Sequence, residues 1–180
     1  MPNLKEKYLR QVVPVLREEF SYKNDLAVPS LDKIVINTGL GKTTLDPKIL
    51  EETKGNLIAI TGQLPITTYA KKSIASFKLR KGEAIGLKLT LRDKKMYEFL
   101  DRLINIVLPR LRDFRGLLAK FDGKGNYTLG LSELASFPEL LDKEIKYNSG
   151  LEVSIVTTAK TDKEGKRLLE LLGFPFKVST

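Results

Sequence analysis

One segment constrains the fold of this chain more than any other, because its side chains alternate between apolar and polar from Leu87 to Arg92. Residues 84–92 read AIGLKLTLR, and successive side chains of a strand point to opposite faces of its sheet. One face of this strand is apolar and the other is polar: the first carries Leu87, Leu89 and Leu91, and the second carries Lys88, Thr90 and Arg92. A strand of this kind belongs to a sheet that is covered on one face only.

Further strands and helices follow in an order that defines a fold class. β-Branched or alternating runs predict strands at 31–38, 64–70 and 151–158, with a shorter candidate at 126–131. Helical spacing predicts a helix over 4–20 that Pro14 interrupts, and further helices over 46–61, 96–107 and 161–172. The order is a helix, then β-α-β-β-α-β, then a helix, as in the split βαβ arrangement. We therefore expect an α+β, ferredoxin-like sheet with helices on one face, an extra N-terminal helix and a C-terminal helix.

The composition narrows the class of function. The 180 residues include 31 Lys and Arg against 22 Asp and Glu, a net charge of +9, and a strongly basic protein usually binds a polyanion. The sequence has no Cys and no His, which excludes disulfides, thiolate metal sites and Ser-His or Cys-His catalytic pairs. The carboxylates are scattered among Lys and Arg, so no acid–base pair can be nominated. We expect no enzyme, no metal and no cofactor.

Length and hydropathy predict the organisation and location of the chain. A length of 180 residues predicts a single domain over 1–180. No apolar run approaches the roughly 20 residues that a membrane span needs, and the first ten residues alternate apolar and charged side chains, unlike a secretory signal. We expect a cytoplasmic protein with no membrane partner.

A glycine-rich turn follows the first predicted strand, at residues 39–43 (GLGKT). It resembles the end of a phosphate-binding P-loop, but the first glycine of that motif would fall at Ile36, and the next helix starts only at Asp46. A nucleotide hydrolase is therefore the weaker alternative. Two glycines also let the backbone approach another molecule closely, with Asn37 and Thr38 beside them to form hydrogen bonds.

A basic segment lies between two predicted strands and is longer than a tight hairpin needs. It is expected to protrude as a loop at about 71–84, since long loops in compact domains tend to be functional. Cations and hydroxyls are suited to phosphate and ribose contacts, although an ordinary solvated loop is the alternative. The segment carries one acid, Glu83, against five cations and two hydroxyls: Lys71, Lys72, Lys78, Arg80, Lys81, Ser73 and Ser76.

The polar face of the alternating strand, with Lys88, Thr90 and Arg92, is a candidate platform for RNA. The strands are poor in aromatic residues apart from Tyr69, which disfavours base stacking and favours the backbone and minor groove of folded RNA. The alternative is that a helix covers this face. Further cations at 108–116 could contact phosphate, contact a protein or pair with nearby acids: Arg110, Arg112 and Arg115.

Several long blocks together carry a family resemblance. They are KIVINTGLGK (33–42), ITGQLPITTYAKKSIASFKLRKGEAIGLKLTLR (60–92), LPRLRDFRG (108–116), FDGKGNYTLG (121–130) and IVTTAKTDKEGKRLLELLGFPF (155–176). On these blocks the chain resembles, nearly end to end, the family of bacterial large-subunit ribosomal protein number five. Two stretches depart from the family pattern, 117–120 and 140–150, so contacts made through them do not carry over.

The resemblance implies a structural role in the ribosome, with an organelle ribosome as the alternative location. Proteins of this family attach 5S rRNA to the central protuberance of the large subunit, beside 23S rRNA and neighbouring proteins. They also contact the peptidyl-site tRNA and help to bridge to a protein of the small-subunit head, and an extra-ribosomal RNA chaperone is a further alternative. Together with the polar strand face, the resemblance implies these rRNA contacts: Asn37, Gly39, Gly41, Gln63, Thr67, Thr90 and Arg92. The implied tRNA contacts are Lys71, Lys72, Ser73, Ser76, Phe77, Lys78, Arg80 and Lys81.

Overall fold

The computed structural model describes residues 3–41, 47–77, 79–111, 114–132, 134–141, 147 and 149–177. The α+β class is confirmed. The helices are α1 (Asn3–Lys7), α2 (Val13–Glu19), α3 (Pro47–Thr61), α4 (Asp93–Arg102), α5 (Leu108–Arg110) and α6 (Asp162–Leu172). The strands are β1 (Leu31–Gly39), β2 (Ile66–Tyr69), β3 (Ala84–Leu91), β4 (Tyr127–Leu131) and β5 (Leu151–Thr157). Within the described ranges, no helix has the length and apolar character to span a membrane.

The five strands form one sheet in the order β2-β3-β1-β5-β4. The first four positions of this order are those of the split βαβ arrangement, and the short candidate strand becomes β4 at the far edge. β2 pairs antiparallel with β3. Just past the end of β1, the amide of Leu40 donates to the carbonyl of Ile85, near the start of β3, at 3.0 Å. β1 and β3 therefore also run antiparallel.

The chain divides into two compact units by its internal contacts. Three strands, β1, β4 and β5, have residues in both units. The expectation of a single domain over 1–180 stays a prediction. Unit 1 comprises Met1–Ile34, Arg92–Thr128 and Ser154–Thr180, and unit 2 comprises Val35–Leu91 and Leu129–Val153.

Unit 2 contains the long helix α3, which packs against β3 and against the 3-10 turn Pro138–Leu140. Two threonines inside this helix are buried, and each donates its hydroxyl to the carbonyl four residues earlier, Thr53 to Ile49 at 2.8 Å and Thr61 to Leu57 at 2.7 Å. Such back-bonding satisfies a hydroxyl that would otherwise be buried without a partner. The helix ends where Gly62 takes a left-handed φ of 62°. The core of unit 2 includes Ile36, Leu57, Ile60, Leu87, Leu89, Leu91, Phe137, Leu140 and Val153.

Unit 1 contains the predicted interruption of the N-terminal helix, which takes the form of a π-helical turn. This turn, Tyr8–Val12, lies between α1 and α2 just before Pro14, and a second one, Leu103–Val107, precedes Pro109. A proline ring clashes with the carbonyl four residues earlier, and a wider turn relieves that clash. At the start of α6 the sequence Thr161-Asp162-Lys163-Glu164 has the pattern of a capping box, and the Thr161 hydroxyl accepts from the main-chain amide of Glu164 at 3.4 Å.

Candidate nucleic-acid interface

The register of β2 against β3 determines which side chains share a face of the sheet in unit 2. Ile66 lies opposite Lys88, Thr67 opposite Leu87 and Thr68 opposite Gly86, and opposed residues of an antiparallel pair lie on the same face. We call the face of the buried Leu87 the leucine face and the face of Lys88 the open face. Burial along the other strands follows the same alternation. The strand residues of unit 2 on the open face therefore include Val35, Asn37, Gly39, Ile66, Thr68, Gly86, Lys88, Thr90, Gly130 and Glu152.

Asn37 and Thr90 lie on this open face, on the neighbouring strands β1 and β3, and both are half-exposed. The Asn37 amide nitrogen, Nδ2, donates to Oε2 of Glu152 at 3.4 Å. On the leucine face, the hydroxyl of Thr38 donates to the Gly150 carbonyl at 2.7 Å. These two bonds hold the end of β1 to the start of β5.

Gln63 joins the same site through a hydrogen bond across 27 residues of sequence. Its side-chain nitrogen, Nε2, donates to the main-chain carbonyl of Thr90 at 2.9 Å. The main-chain amide of Gln63 donates to the hydroxyl of Thr61, the last residue of α3, at 3.3 Å. Gln63 is thus bonded to the strand of Thr90, and Asn37 lies on the adjacent strand. We call these three predicted rRNA contacts the polar patch: Asn37, Gln63 and Thr90.

Two other predicted rRNA contacts lie elsewhere. Thr67 is on the leucine face opposite Leu87, where it is half-exposed because β2 is an edge strand. Arg92 belongs to unit 1, and its Nη1 donates to Oδ1 of Asp32 at 3.1 Å. Both side chains of this ion pair are exposed, so the pair is weak. The positive charge of Arg92 nevertheless has a carboxylate beside it.

Two glycines of the glycine-rich turn, Gly39 and Gly41, have space where a side chain would lie. Among the described residues, no heavy atom lies within 4 Å of a Cβ placed on either glycine, and Gly41 has a φ of +55°. Such space suits the close approach of a partner's atoms to the backbone. The lysine and threonine of the P-loop alternative, Lys42 and Thr43, lie outside the described residues.

A further glycine, Gly86, has no room for a side chain, although the sequence did not single it out. A Cβ on Gly86 would overlap the main-chain carbonyl oxygen of Thr38 and would lie 3.3 Å from the Thr68 hydroxyl. The absence of a side chain at Gly86 therefore lets β3 lie close to the backbone of β1. An isolated glycine inside an alternating strand is the sequence signal for such an approach.

The predicted basic loop is a narrow hairpin, which we call the basic hairpin (residues 71–83). Ile74 and Leu79 exchange two main-chain hydrogen bonds of 2.9 and 3.1 Å, and Ala70 donates to the Glu83 carbonyl at 2.8 Å. Ser73 acts within the hairpin, since its hydroxyl accepts from the Lys81 amide at 3.0 Å. Lys78 and the side chain of Phe77 lie outside the described residues. The remaining predicted tRNA contacts are exposed: Lys71, Lys72, Ser76, Arg80 and Lys81.

The open face also contains residues that the sequence did not single out. Ile66 is 74% exposed, Thr68 lies opposite Gly86, and Glu152 contacts Asn37. The alternation in 151–158 points to Glu152 as an outward side chain. Thr68 could be chosen over Thr67 only with the register known. Of the candidate arginines, Arg110 and Arg115 are exposed and Arg112 lies outside the described residues.

Shifted pKa values occur away from this site and have structural causes. Burial raises the pKa of Tyr97 in α4 to about 12, and hydrogen bonds from the Asn126 side chain and the Lys124 amide lower the pKa of Asp122. Within the described part of the chain, no three His, Cys, Asp or Glu side chains could together hold a metal ion. A one-sided sheet with a polar open face and an exposed basic hairpin is typical of an α+β RNA-binding protein.

Comparison with known proteins identifies the family. The model of ribosomal protein L5 matches residues 24–80, and the model of the C-terminus of the same ribosomal protein family matches residues 84–176. The chain therefore belongs to the ribosomal protein L5 family, which confirms the resemblance seen in the sequence. This is a structural family rather than a family of enzymes, so the expectation of no enzyme is also confirmed and the nucleotide hydrolase is set aside.

Individual relatives cover nearly the whole chain. A protein of Carboxydothermus hydrogenoformans is 54% identical over 177 residues, covering 98% of this chain and 99% of the relative. A protein of Kosmotoga olearia is 57% identical over 175 residues, covering 97% and 96%. Both relatives are named large ribosomal subunit protein uL5.

Proposed function

We propose that this chain, a structural constituent of the large ribosomal subunit, binds 5S rRNA through the open face of unit 2. In this role it helps to attach 5S rRNA to the central protuberance, beside 23S rRNA and neighbouring ribosomal proteins. The observation that carries the proposal is the polar patch, in which Gln63 is bonded to the Thr90 carbonyl and Asn37 lies on the adjacent strand. Family membership makes the cytoplasmic ribosome the location that we assign.

The chemistry of the polar patch suits folded RNA. Amide and hydroxyl groups both donate and accept hydrogen bonds, and 2′-hydroxyls and phosphate oxygens are what the minor groove of an RNA helix displays. Lys88 is the one cation among the open-face strand residues of unit 2. Recognition at this face therefore depends on the shape of the RNA and on neutral hydrogen bonds more than on charge.

The basic hairpin is proposed as a second RNA surface, for the peptidyl-site tRNA. Four of its cations are exposed in the described residues: Lys71, Lys72, Arg80 and Lys81. Cations at this density bind phosphate by displacing counterions, so this contact depends strongly on salt. The hydrogen bonds at its base and across Ile74 and Leu79 hold the hairpin in an extended shape, which suits contact with a separate molecule.

A bridge to a protein of the small-subunit head completes the proposal. Arg110 and Arg115 are exposed and supply cationic groups for such a contact. Charge reversal at either position, Arg110→Glu or Arg115→Glu, should weaken subunit association and leave 5S rRNA affinity unchanged. Sedimentation of mixed subunits at several magnesium concentrations measures the first quantity.

Filter-binding titration with 5S rRNA tests the main proposal. We expect 5S rRNA to bind at least tenfold more tightly than an unrelated RNA duplex of equal length at physiological salt, by analogy with the specificity ratios of nucleic-acid-binding proteins. Equal affinity for the two RNAs would contradict the proposal. Stoichiometric sedimentation with large subunits at high salt separates a ribosomal constituent from a free RNA chaperone.

A further inference from the structure

One carboxylate lies among the strand residues of unit 2 that the structure describes. This carboxylate is Glu152, on the open face. A carboxylate that faces phosphates lowers affinity for RNA through like-charge repulsion. It favours binding only where it accepts a hydrogen bond from the RNA. Glu152 is exposed, and it is hydrogen-bonded to Asn37, which belongs to the polar patch. An RNA that binds the polar patch would therefore also lie close to Glu152.

The hydrogen bond between Asn37 and Glu152 determines which atoms they present. A carboxylate only accepts, so the atom of Asn37 that faces Glu152 must be the amide nitrogen, Nδ2. The carbonyl oxygen of Asn37, Oδ1, and the second carboxylate oxygen of Glu152, Oε1, then remain as acceptors. The pair therefore presents two acceptors from adjacent strands, and the bond from Thr38 to Gly150 joins the same two strands.

Two neighbouring acceptors match a group with two neighbouring donors. Among the four RNA bases, guanine alone carries two adjacent N–H donors on its Watson–Crick edge, at N1 and N2. That edge is accessible when the guanine is unpaired, as in loops and bulges, where proteins read RNA sequence. We propose that Glu152 and Asn37 form a subsite for the Watson–Crick edge of an unpaired guanine. This subsite rests on the proposed binding of 5S rRNA at the open face.

The substitution Glu152→Gln provides a sharp test, because it keeps the size of the side chain and reverses one hydrogen-bonding group. The Gln oxygen accepts from Asn37, which turns the Gln amide nitrogen, a donor, toward the guanine donors. We expect about a tenfold loss of 5S rRNA affinity, within the discrimination of a two-bond base contact. Glu152→Asp keeps the carboxylate and should recover most of this loss.

A matched control separates base recognition from simple electrostatics. Glu51→Gln makes the same change in net charge at an exposed position of α3. If Glu152 acted only by repelling phosphate, Glu152→Gln would bind 5S rRNA and an unrelated duplex more tightly than the wild type. We expect instead that affinity for the duplex is unchanged or higher while affinity for 5S rRNA falls. Melting curves by circular dichroism verify that each variant is folded.

Chemical footprinting gives a readout that a merely structural role would not change. Kethoxal reacts with N1 and N2 of unpaired guanine, so the wild-type protein should protect at least one guanine of 5S rRNA. That guanine should become reactive in the complex with Glu152→Gln and remain protected with Glu51→Gln. Unchanged protection and affinity in Glu152→Gln would overturn the subsite alone. A wild-type protein with no preference for 5S rRNA would overturn the proposed function and the subsite with it.

Discussion

The side-chain nitrogen of Gln63, Nε2, donates to the main-chain carbonyl of Thr90 at 2.9 Å. This bond fastens the residues that follow α3 to β3, and its acceptor belongs to the backbone rather than to the Thr90 side chain. The hydroxyl of Thr90 is therefore not needed for this bond. Structural and RNA-binding roles of the polar patch can thus be separated by substitution at these two positions.

Gln63→Ala should reduce both stability and RNA binding. The substitution removes a partly buried hydrogen bond, for which a loss of about 0.5–1.5 kcal/mol in the free energy of unfolding is typical. Urea denaturation measures that loss, and filter binding measures affinity for 5S rRNA. Thr90→Val is the matched variant: we expect weaker 5S rRNA binding with stability changed by less than about 0.5 kcal/mol. A Thr90→Val protein that binds normally would remove the hydroxyl from the proposed RNA contacts.

Gly86→Ala should destabilise the sheet. The added Cβ would overlap the carbonyl oxygen of Thr38, so β1 and β3 would have to move apart, at a cost of about 1–3 kcal/mol for an overpacked site. Gly130→Ala is the control, since a Cβ there meets no described atom within 4 Å. Thermal melts of both variants check the prediction, which fails if the two melting temperatures match.

The one-sided sheet could be predicted from the sequence, because alternation is a local property of a strand. The leucines of 84–92 identify the buried face without knowledge of any partner strand. The end of α3 was also predictable, since Gly62 supplies a left-handed residue at little steric cost. These features depend on neighbours within a few residues along the chain.

The full set of residues on the open face could not be predicted from the sequence alone, because it depends on strand register and on distant partners. Thr67 and Thr68 are adjacent in sequence and lie on opposite faces, and a shift of one residue in the register would exchange them. That register includes an irregularity between Thr68 and Tyr69. The contact of Asn37 with Glu152 joins residues 115 apart. No local pattern specifies such a pair.

Neutralising three cations of the basic hairpin sequence should separate the two proposed RNA surfaces. Replacement of Lys78, Arg80 and Lys81 by Gln should leave 5S rRNA affinity within about twofold of the wild type, because none of them belongs to the polar patch. The salt dependence of tRNA binding is the slope of the logarithm of the binding constant against the logarithm of the salt concentration. This slope should become shallower by about one for each phosphate contact that is lost. Titrations with tRNA at several salt concentrations, using ribosomes assembled with the variant, measure this slope. Loss of 5S rRNA binding in the triple variant would contradict the division into two surfaces.

Asp122 should make folding of unit 1 sensitive to acid. Its carboxylate accepts from the Asn126 side chain at 2.7 Å and from the amides of Lys124 and Asn126 at 2.8 and 3.0 Å. These bonds lower its pKa from the ordinary value of 3.8. Because the folded-state pKa is the lower one, the stabilisation is complete above the unfolded pKa and is lost as the pH falls through the folded pKa. Asp122→Ala should therefore be less stable than the wild type at pH 7, and the difference should shrink below pH 3.8. Urea denaturation of both proteins from pH 7 to pH 2.5 measures this difference, and a gap that stays constant with pH would show that the charge of Asp122 does not stabilise the fold.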